Sequence, residues 1–165
     1  MSDTQILPNP PTAILKAAHL QMKELFARYN ALRAEDRRAK KLLFHEIQEG
    51  LQIHLEIEEV LFYPAVQSMK ADLAIRVVLK ALQDHHKVKA FLGELGALDS
   101  ENKSLDAKMS ELQHCVLAHL EMEERDIFPQ ARVLTPETLQ ELSAEMETLR
   151  DRLLEDRRNL EPPPG

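Results

Sequence analysis

Two short stretches of this sequence share the pattern His-Leu-Glu-x-Glu, at residues 54–58 and 119–123. A further histidine precedes each stretch at a similar distance: His19 lies 35 residues before the first, and His85 lies 34 residues before the second. Residues four apart on a helix share one face, with Cβ atoms roughly 5–6 Å apart. Each stretch can therefore direct an imidazole and a carboxylate at one metal ion. Together the residues supply four imidazoles and two carboxylates, enough for a dinuclear site.

Elements that place these residues are expected to be helices. The 165 residues include only four glycines and no tryptophan, and the abundant Leu, Ala, Glu, Lys and Gln favour helix over sheet. Hydrophobic periodicity predicts helices at about 10–34, 37–63, 71–98, 105–132 and 136–158. The second helix is expected to stop near Pro64, because proline disfavours helical geometry in the preceding residue. Thr135 is a candidate N-cap for the fifth helix.

The first two predicted helices resemble the next two. His19 aligns with His85 at an offset of 66 residues, and His54 aligns with His119 at an offset of 65. This repeat predicts an all-α fold: an up-down antiparallel four-helix bundle made of two similar hairpins over residues 12–132. A fifth C-terminal helix over 136–158 is expected either along the outside of the bundle or in a dimer contact. We predict that residues 1–165 form a single domain.

The candidate ligands lie within apolar stripes, as on the fourth helix, where Leu112, Cys115, His119, Glu123 and Ile127 share a face. Unpaired charges inside a bundle cost several kcal/mol each, and metal ions would remove that cost. A single inward histidine is more often a hydrogen-bonded core residue. Six polar groups at repeat-equivalent positions favour the metal site instead.

The pattern H…HxxxE…H…HxxxE resembles the hemerythrin-like, or HHE cation-binding, family over about residues 12–132. The flanking segments Glu-Glu-x-Leu-Phe-Tyr-Pro and Glu-Glu-x-x-x-Phe-Pro fit as well. The ferritin-type pattern differs, since its glutamate precedes its histidine by three residues. The resemblance implies two iron ions in an oxo- or hydroxo-bridged centre, with four terminal histidines and two bridging carboxylates. These implied metal ligands are His19, His54, Glu58, His85, His119 and Glu123.

Lys89 marks a departure from the oxygen-carrying hemerythrins, which have a further histidine at this position. Two roughly six-coordinate irons need about twelve bonds; the six residues supply about eight, so both irons are expected to be open. The resemblance then implies binding or reaction with O2, peroxide or NO, in stress sensing, scavenging or iron-centre repair. A non-catalytic iron-binding, iron-sensing or oxygen-storage domain is the alternative. Whether the protein is an enzyme stays open.

Composition narrows the expected setting and partners. A net charge of −7 argues against nucleic-acid binding, because there is no basic patch to offset phosphate repulsion. The single cysteine, Cys115, suits a reducing compartment. We see no signal peptide or membrane span in the sequence and expect a cytoplasmic monomer or homodimer.

Several residues near the motifs have two interpretations. His86 is expected to lie outside the ligand set, and Cys115 is either a small core residue or a reactive thiol near the metal. Tyr29 and Tyr63 are each either a packing residue or a hydrogen-bond donor beside the iron. Glu59 and Glu124 are expected on a solvated face, because their positions on their own helices point away from the motif histidines.

Overall fold

A computed structural model describes residues 9–99 and 101–161, and the regular structure within these ranges is entirely helical. None of the helices in the described part is long and apolar enough to cross a membrane. The helices are α1 (Pro11–Asn30), α2 (Arg37–Ile57), α3 (Tyr63–Gln67), α4 (Asp72–Ala97), α5 (Leu105–Met122), α6 (Phe128–Ala131) and α7 (Pro136–Leu160). They confirm the all-α bundle of two hairpins with an additional C-terminal helix.

Two π turns interrupt the long helices, the first at Glu58–Phe62 between α2 and α3 and the second at Glu123–Ile127 between α5 and α6. In the first π turn the Tyr63 N–H donates to the Glu58 carbonyl five residues earlier. Helical structure therefore continues to Gln67, and the predicted stop near Pro64 is wrong. Pro64 is instead the second residue of a new helical segment, where its missing N–H costs little.

Two apolar clusters enclose the level of the bundle that carries the histidines. One cluster includes Leu15, Ile57 and Ile127. The other includes Met22 and Val88 along with further residues of α1, α2, α4 and α5. Each candidate ligand falls between residues of the two clusters along its own helix. The polar groups are therefore closed off from water at both ends of the bundle.

The C-terminal helix α7 packs along the bundle. Its main contacts are with α1, α2 and the first π turn, and it buries Leu142, Met146 and Leu149 there. Thr135 caps it as predicted, because its hydroxyl oxygen accepts a hydrogen bond from the Thr138 N–H at 3.2 Å. Of the two expected positions for this helix, the structure shows the one along the bundle.

Candidate metal centre

The six predicted site residues meet in the interior of the bundle, and all six are buried. They form two groups, in each of which the candidate ligand atoms lie within 4.8 Å of one another. The first group is His19, His54, Glu58 and Glu123; the second is Glu58, His85, His119 and Glu123. Both glutamates belong to both groups, so the site offers two positions for a metal ion with two carboxylates between them.

The α1/α2 half-site consists of His19 and His54. Their Nε2 atoms are 3.2 Å apart, and His19 Nε2 is also 3.2 Å from Oε1 of Glu123. His54 Nε2 contacts Oε1 of Glu58, four residues later on the same helix. The two imidazoles thus face one carboxylate from each hairpin.

The α4/α5 half-site consists of His85 and His119. His85 Nε2 lies 3.3 Å from Oε2 of Glu58. His119 Nε2 lies 3.4 Å from Oε2 of Glu123 and 3.9 Å from Oε2 of Glu58. All four imidazoles therefore direct Nε2 towards the shared carboxylates, and this leaves their Nδ1 atoms facing outward.

In the α4/α5 half-site, each outward Nδ1 atom lies close to a carboxylate that accepts a hydrogen bond from a lysine. His85 Nδ1 is 3.0 Å from Glu59 Oε1, and Lys89 Nζ donates to both oxygens of Glu59 at 2.8 and 2.9 Å. His119 Nδ1 is 3.3 Å from Asp84 Oδ2, and Asp84 accepts from Lys80 at 2.6 Å. Such partners fix the tautomer and the orientation of a ligating imidazole.

The expectation that Glu59 and Glu124 lie on a solvated face is wrong, because both side chains are partly buried. Their side chains are 28% and 26% exposed, and each faces a histidine of the other hairpin: Glu59 faces His85, and Glu124 approaches His19 Nδ1 at 3.7 Å. Helical-wheel reasoning missed these contacts because it considers one helix at a time. The usable signal was the Glu-Glu pair that appears in both repeats.

Tyr63 reaches the site from the first residue after the first π turn. Its hydroxyl donates to Glu123 Oε2 at 2.5 Å and lies 3.1 Å from His85 Nε2. Burial and the neighbouring carboxylates raise the pKa of Tyr63 well above its usual value, so the phenol stays protonated and remains a donor. Of its two interpretations, the structure supports the hydrogen-bond donor.

Without a cation, protons balance the charges of this cluster. Burial acts to lower the pKa of His119, but the nearby carboxylates of Glu123 and Glu58 raise it to about 11. Burial acts to raise the pKa of Glu58, but the facing histidines, His54 above all, hold it well below its usual value. In the metal-free site His119 is therefore an imidazolium that faces an ionised Glu58, and a metal ion would replace its proton.

Several inward atoms have no hydrogen bond of acceptable geometry within the described residues, although ring nitrogens or carboxylates lie nearby. They are both oxygens of Glu58, Oε1 of Glu123 and Nε2 of His119. Buried polar atoms are normally hydrogen-bonded, and each exception needs a reason. Metal ions at the two positions would use these lone pairs. An imidazole and carboxylate donor set without thiolate suits iron, manganese or zinc, so the residues present fit a metal pair.

The remaining candidates lie outside the two groups. His86 is exposed. Cys115 is half-buried, and burial together with the charge of Asp84 raises the pKa of its thiol above the usual value. This favours a neutral thiol over a reactive thiolate. Tyr29 donates to Asp106 at 2.9 Å rather than to any of the six residues.

Comparisons with known proteins agree with this geometry. A crystal structure of a hemerythrin HHE cation-binding domain-containing protein from Mycobacterium kansasii is similar, with 26% sequence identity and a TM-score of 0.76. The similarity covers 91% of this chain and 93% of that one. A comparison with curated proteins gave no match. The family model described as the hemerythrin HHE cation-binding domain matches residues 11–131. Because this match includes all six buried residues, the chain belongs to the hemerythrin HHE cation-binding domain family.

Proposed function

We propose that this protein is a non-haem di-iron protein that binds and reacts with a small oxidant, namely O2, peroxide or NO, in stress sensing, scavenging or iron-centre repair. The observation that carries the proposal is the pair of buried four-residue groups that share Glu58 and Glu123. A carboxylate common to two metal positions is typical of di-iron and di-manganese centres in helical bundles.

In this proposal the four histidines would hold iron, two at each position, together with Glu58 and Glu123, which belong to both groups. Bound iron would supply the electrons and the open coordination positions for a small oxidant. Lys89 occupies the position of a further histidine but donates to Glu59 instead. The set therefore stays at four imidazoles, which leaves both ions with positions free for a small molecule.

Residues around the ligands would orient them and control protons. Glu59 and Asp84 accept from the Nδ1 atoms of His85 and His119, which turns both Nε2 atoms inward. The Tyr63 hydroxyl is a proton-bearing group beside Glu123 and His85. The two apolar clusters exclude bulk water from the site, which strengthens electrostatic interactions inside it.

The test is the metal content and visible spectrum of the purified protein, followed by addition of peroxide. About two irons per chain, with charge-transfer bands of a bridged diferric pair that change rapidly with peroxide, would support the proposal. Two irons with no response to peroxide, O2 or NO would instead support the iron-binding or iron-sensing alternative. A chain that stays folded and takes up no metal would refute both.

A further inference from the structure

A cavity of about 600 Å³ lies between α1, α2 and α7 and leads to the α1/α2 half-site. Its inner lining is mostly apolar and includes Ala18, Met22, Ile53 and Leu154. His19 and His54 also line it. His54 is the most exposed of the six site residues, at 7%. The cavity therefore connects the surface with the ring of one candidate ligand.

The repeat places a corresponding cavity of about 770 Å³ between α4 and α5, and its lining includes His119. Asp84 there corresponds to Ala18, and Cys115 corresponds to Gly50. Asp84 accepts from both Lys80 and His119, so a Lys80–Asp84 ion pair lies beside His119 Nδ1. On the α1/α2 side, the corresponding residues Ala18 and Gly50 are small and uncharged.

Gly50 lies in the interior of α2, one turn before His54, and lines the cavity. Its backbone does not need glycine, because it has no positive φ. Glycine in a helix interior is destabilising relative to alanine, so its small size is the remaining reason for it. A Cβ at this position would lie 3.1 Å from the terminal methyl of Met22. Met22 also lines the cavity, so a side chain at position 50 would crowd this part of the lining.

We propose that this cavity is the route by which a small uncharged molecule reaches the site, and that Gly50 limits the size of the molecule admitted. This inference rests on the proposed function for the identity of the molecule, which is O2, NO or hydrogen peroxide. Ions are disfavoured because moving a charge through apolar surroundings is costly. Of the five charged residues along the lining, three are acidic, which further disfavours anions: Glu24, Arg28, Glu46, Glu49 and Arg150.

Xenon binding tests the cavity without reference to iron, because xenon enters apolar cavities large enough to accept it. We would measure the ¹²⁹Xe NMR shift with wild type, with Gly50→Leu, and with Cys115→Leu as the matched control at the corresponding position. Xenon should bind wild type and Cys115→Leu, and at least tenfold more weakly to Gly50→Leu. No binding to wild type, or equal binding to Gly50→Leu, would overturn the proposal. Gly50→Ala is the second variant should Gly50→Leu not fold, with at least threefold weaker binding expected.

NO association with the reduced, iron-loaded protein tests the route itself. Stopped-flow rates should fall at least tenfold in Gly50→Leu, or at least threefold in Gly50→Ala, with the same final spectrum as wild type. The rate of Cys115→Leu should stay within twofold of wild type. Unchanged rates at position 50, or equal slowing in Cys115→Leu, would contradict the route. A wild-type protein that takes up no iron would refute the proposed function, whereas the xenon result would still decide whether Gly50 controls the cavity.

Discussion

The two half-sites present the same ligand types but have different surroundings. In the α4/α5 half-site, Asp84 accepts from His119 at 3.3 Å. In the α1/α2 half-site, Ala18 occupies the corresponding position next to His54 and has no carboxylate to offer. The repeat therefore supplies two similar groups of candidate ligands, and single residues beside them make the surroundings of the two groups unequal.

Differences at two further pairs point the same way. Tyr63 donates to Glu123 near His85, whereas its counterpart Phe128 stacks on His19 at 5.6 Å between ring centroids. Glu59 is 3.0 Å from His85 Nδ1, but Glu124 is 3.7 Å from His19 Nδ1, too far for a hydrogen bond. We therefore expect the α4/α5 half-site to bind its metal more tightly and the α1/α2 half-site to be the more accessible one.

Removing either shared carboxylate should abolish metal binding at both half-sites. Glu58→Ala or Glu123→Ala is expected to lower the metal content from about two ions per chain to almost none, because each carboxylate belongs to both groups. Elemental analysis together with the visible spectrum measures this. Glu56→Ala and Glu121→Ala are matched controls, since both residues are exposed two positions earlier in the same motifs. A variant at Glu58 or Glu123 that retains one tightly bound ion would contradict the shared bridge.

Metal loading should reverse the way in which stability depends on pH. In the metal-free protein, the pKa of His119 rises from 6.5 to about 11, so its stabilising contribution is complete below pH 6.5 and is lost as the pH rises towards 11. The pKa of Glu58 is lowered from 4.5, so its contribution is present above pH 4.5 and is lost on acidification. The free energy of unfolding should be highest between these values and fall above pH 6.5 by up to about 1.4 kcal/mol per pH unit per group.

In the loaded protein the histidines are unprotonated, so stability should fall when the pH drops below 6.5 and not when it rises above that value. Urea unfolding of both forms at pH 5.5, 7 and 9 measures the difference. The same trend in both forms would show that protons and metal do not compete for these imidazoles.

The convergence of these six residues in the interior was predictable because two local rules coincide. The spacing of four residues puts His54 beside Glu58 and His119 beside Glu123, and the repeat relates His19 to His85. Burial within apolar stripes followed from the same periodicity. The all-α bundle followed from helical periodicity and from the similarity of its two hairpins.

Features that depend on contacts between distant elements were not predictable in this way. Each π turn contains one residue more than an α-helical turn, so it rotates the residues after Glu58 or Glu123 around the helix axis. The hydrophobic periodicity of the sequence does not indicate this extra residue. Glu59 meets a ring from the other hairpin, so its role depends on how the hairpins pack. The sequence shows the apolar stripe of α7, but a dimer partner could bury that stripe as well as the bundle does. The stripe alone therefore did not predict where the helix packs.

Exchanging the residues at positions 18 and 84 should reverse the order of the half-sites. Asp84→Ala removes the acceptor of His119 Nδ1 and is expected to weaken one of two metal-binding steps about tenfold or more. Ala18→Asp should strengthen the other step, because it offers a carboxylate at the corresponding position beside His54. Calorimetric titration of the metal-free protein with Mn²⁺ resolves the two steps. Equal weakening of both steps in Asp84→Ala would show that the half-sites are not independent.

Substitution of Lys89 should have a smaller effect on the difference in metal affinity between the two half-sites. Lys89→Met removes the two hydrogen bonds that Lys89 donates to Glu59. The Glu59 carboxylate is then free to move away from His85. Because Lys89 is 50% exposed, the interaction is screened and worth about 1 kcal/mol or less. Affinity for one metal should therefore fall by no more than about fivefold in the same titration. Lys23→Met, at the repeat-equivalent and exposed position, should leave both affinities unchanged.

Gly50 and Cys115 occupy corresponding positions in the two hairpins, and substitutions there should have the smallest and most local effects. In the α1/α2 hairpin, glycine lines one cavity at the cost of helix stability. At the corresponding position of the α4/α5 hairpin, Cys115 lines the other cavity. Gly50→Ala should raise the free energy of unfolding by up to about 1 kcal/mol, because alanine favours the helix and only the flexible end of Met22 must move. Cys115→Ala should lower it by about 1 kcal/mol, because it removes a half-buried side-chain atom. Urea denaturation of both variants measures these changes. If Gly50→Ala instead loses more than about 1 kcal/mol, close packing against Met22 requires the glycine, and the space beside His54 is not its reason.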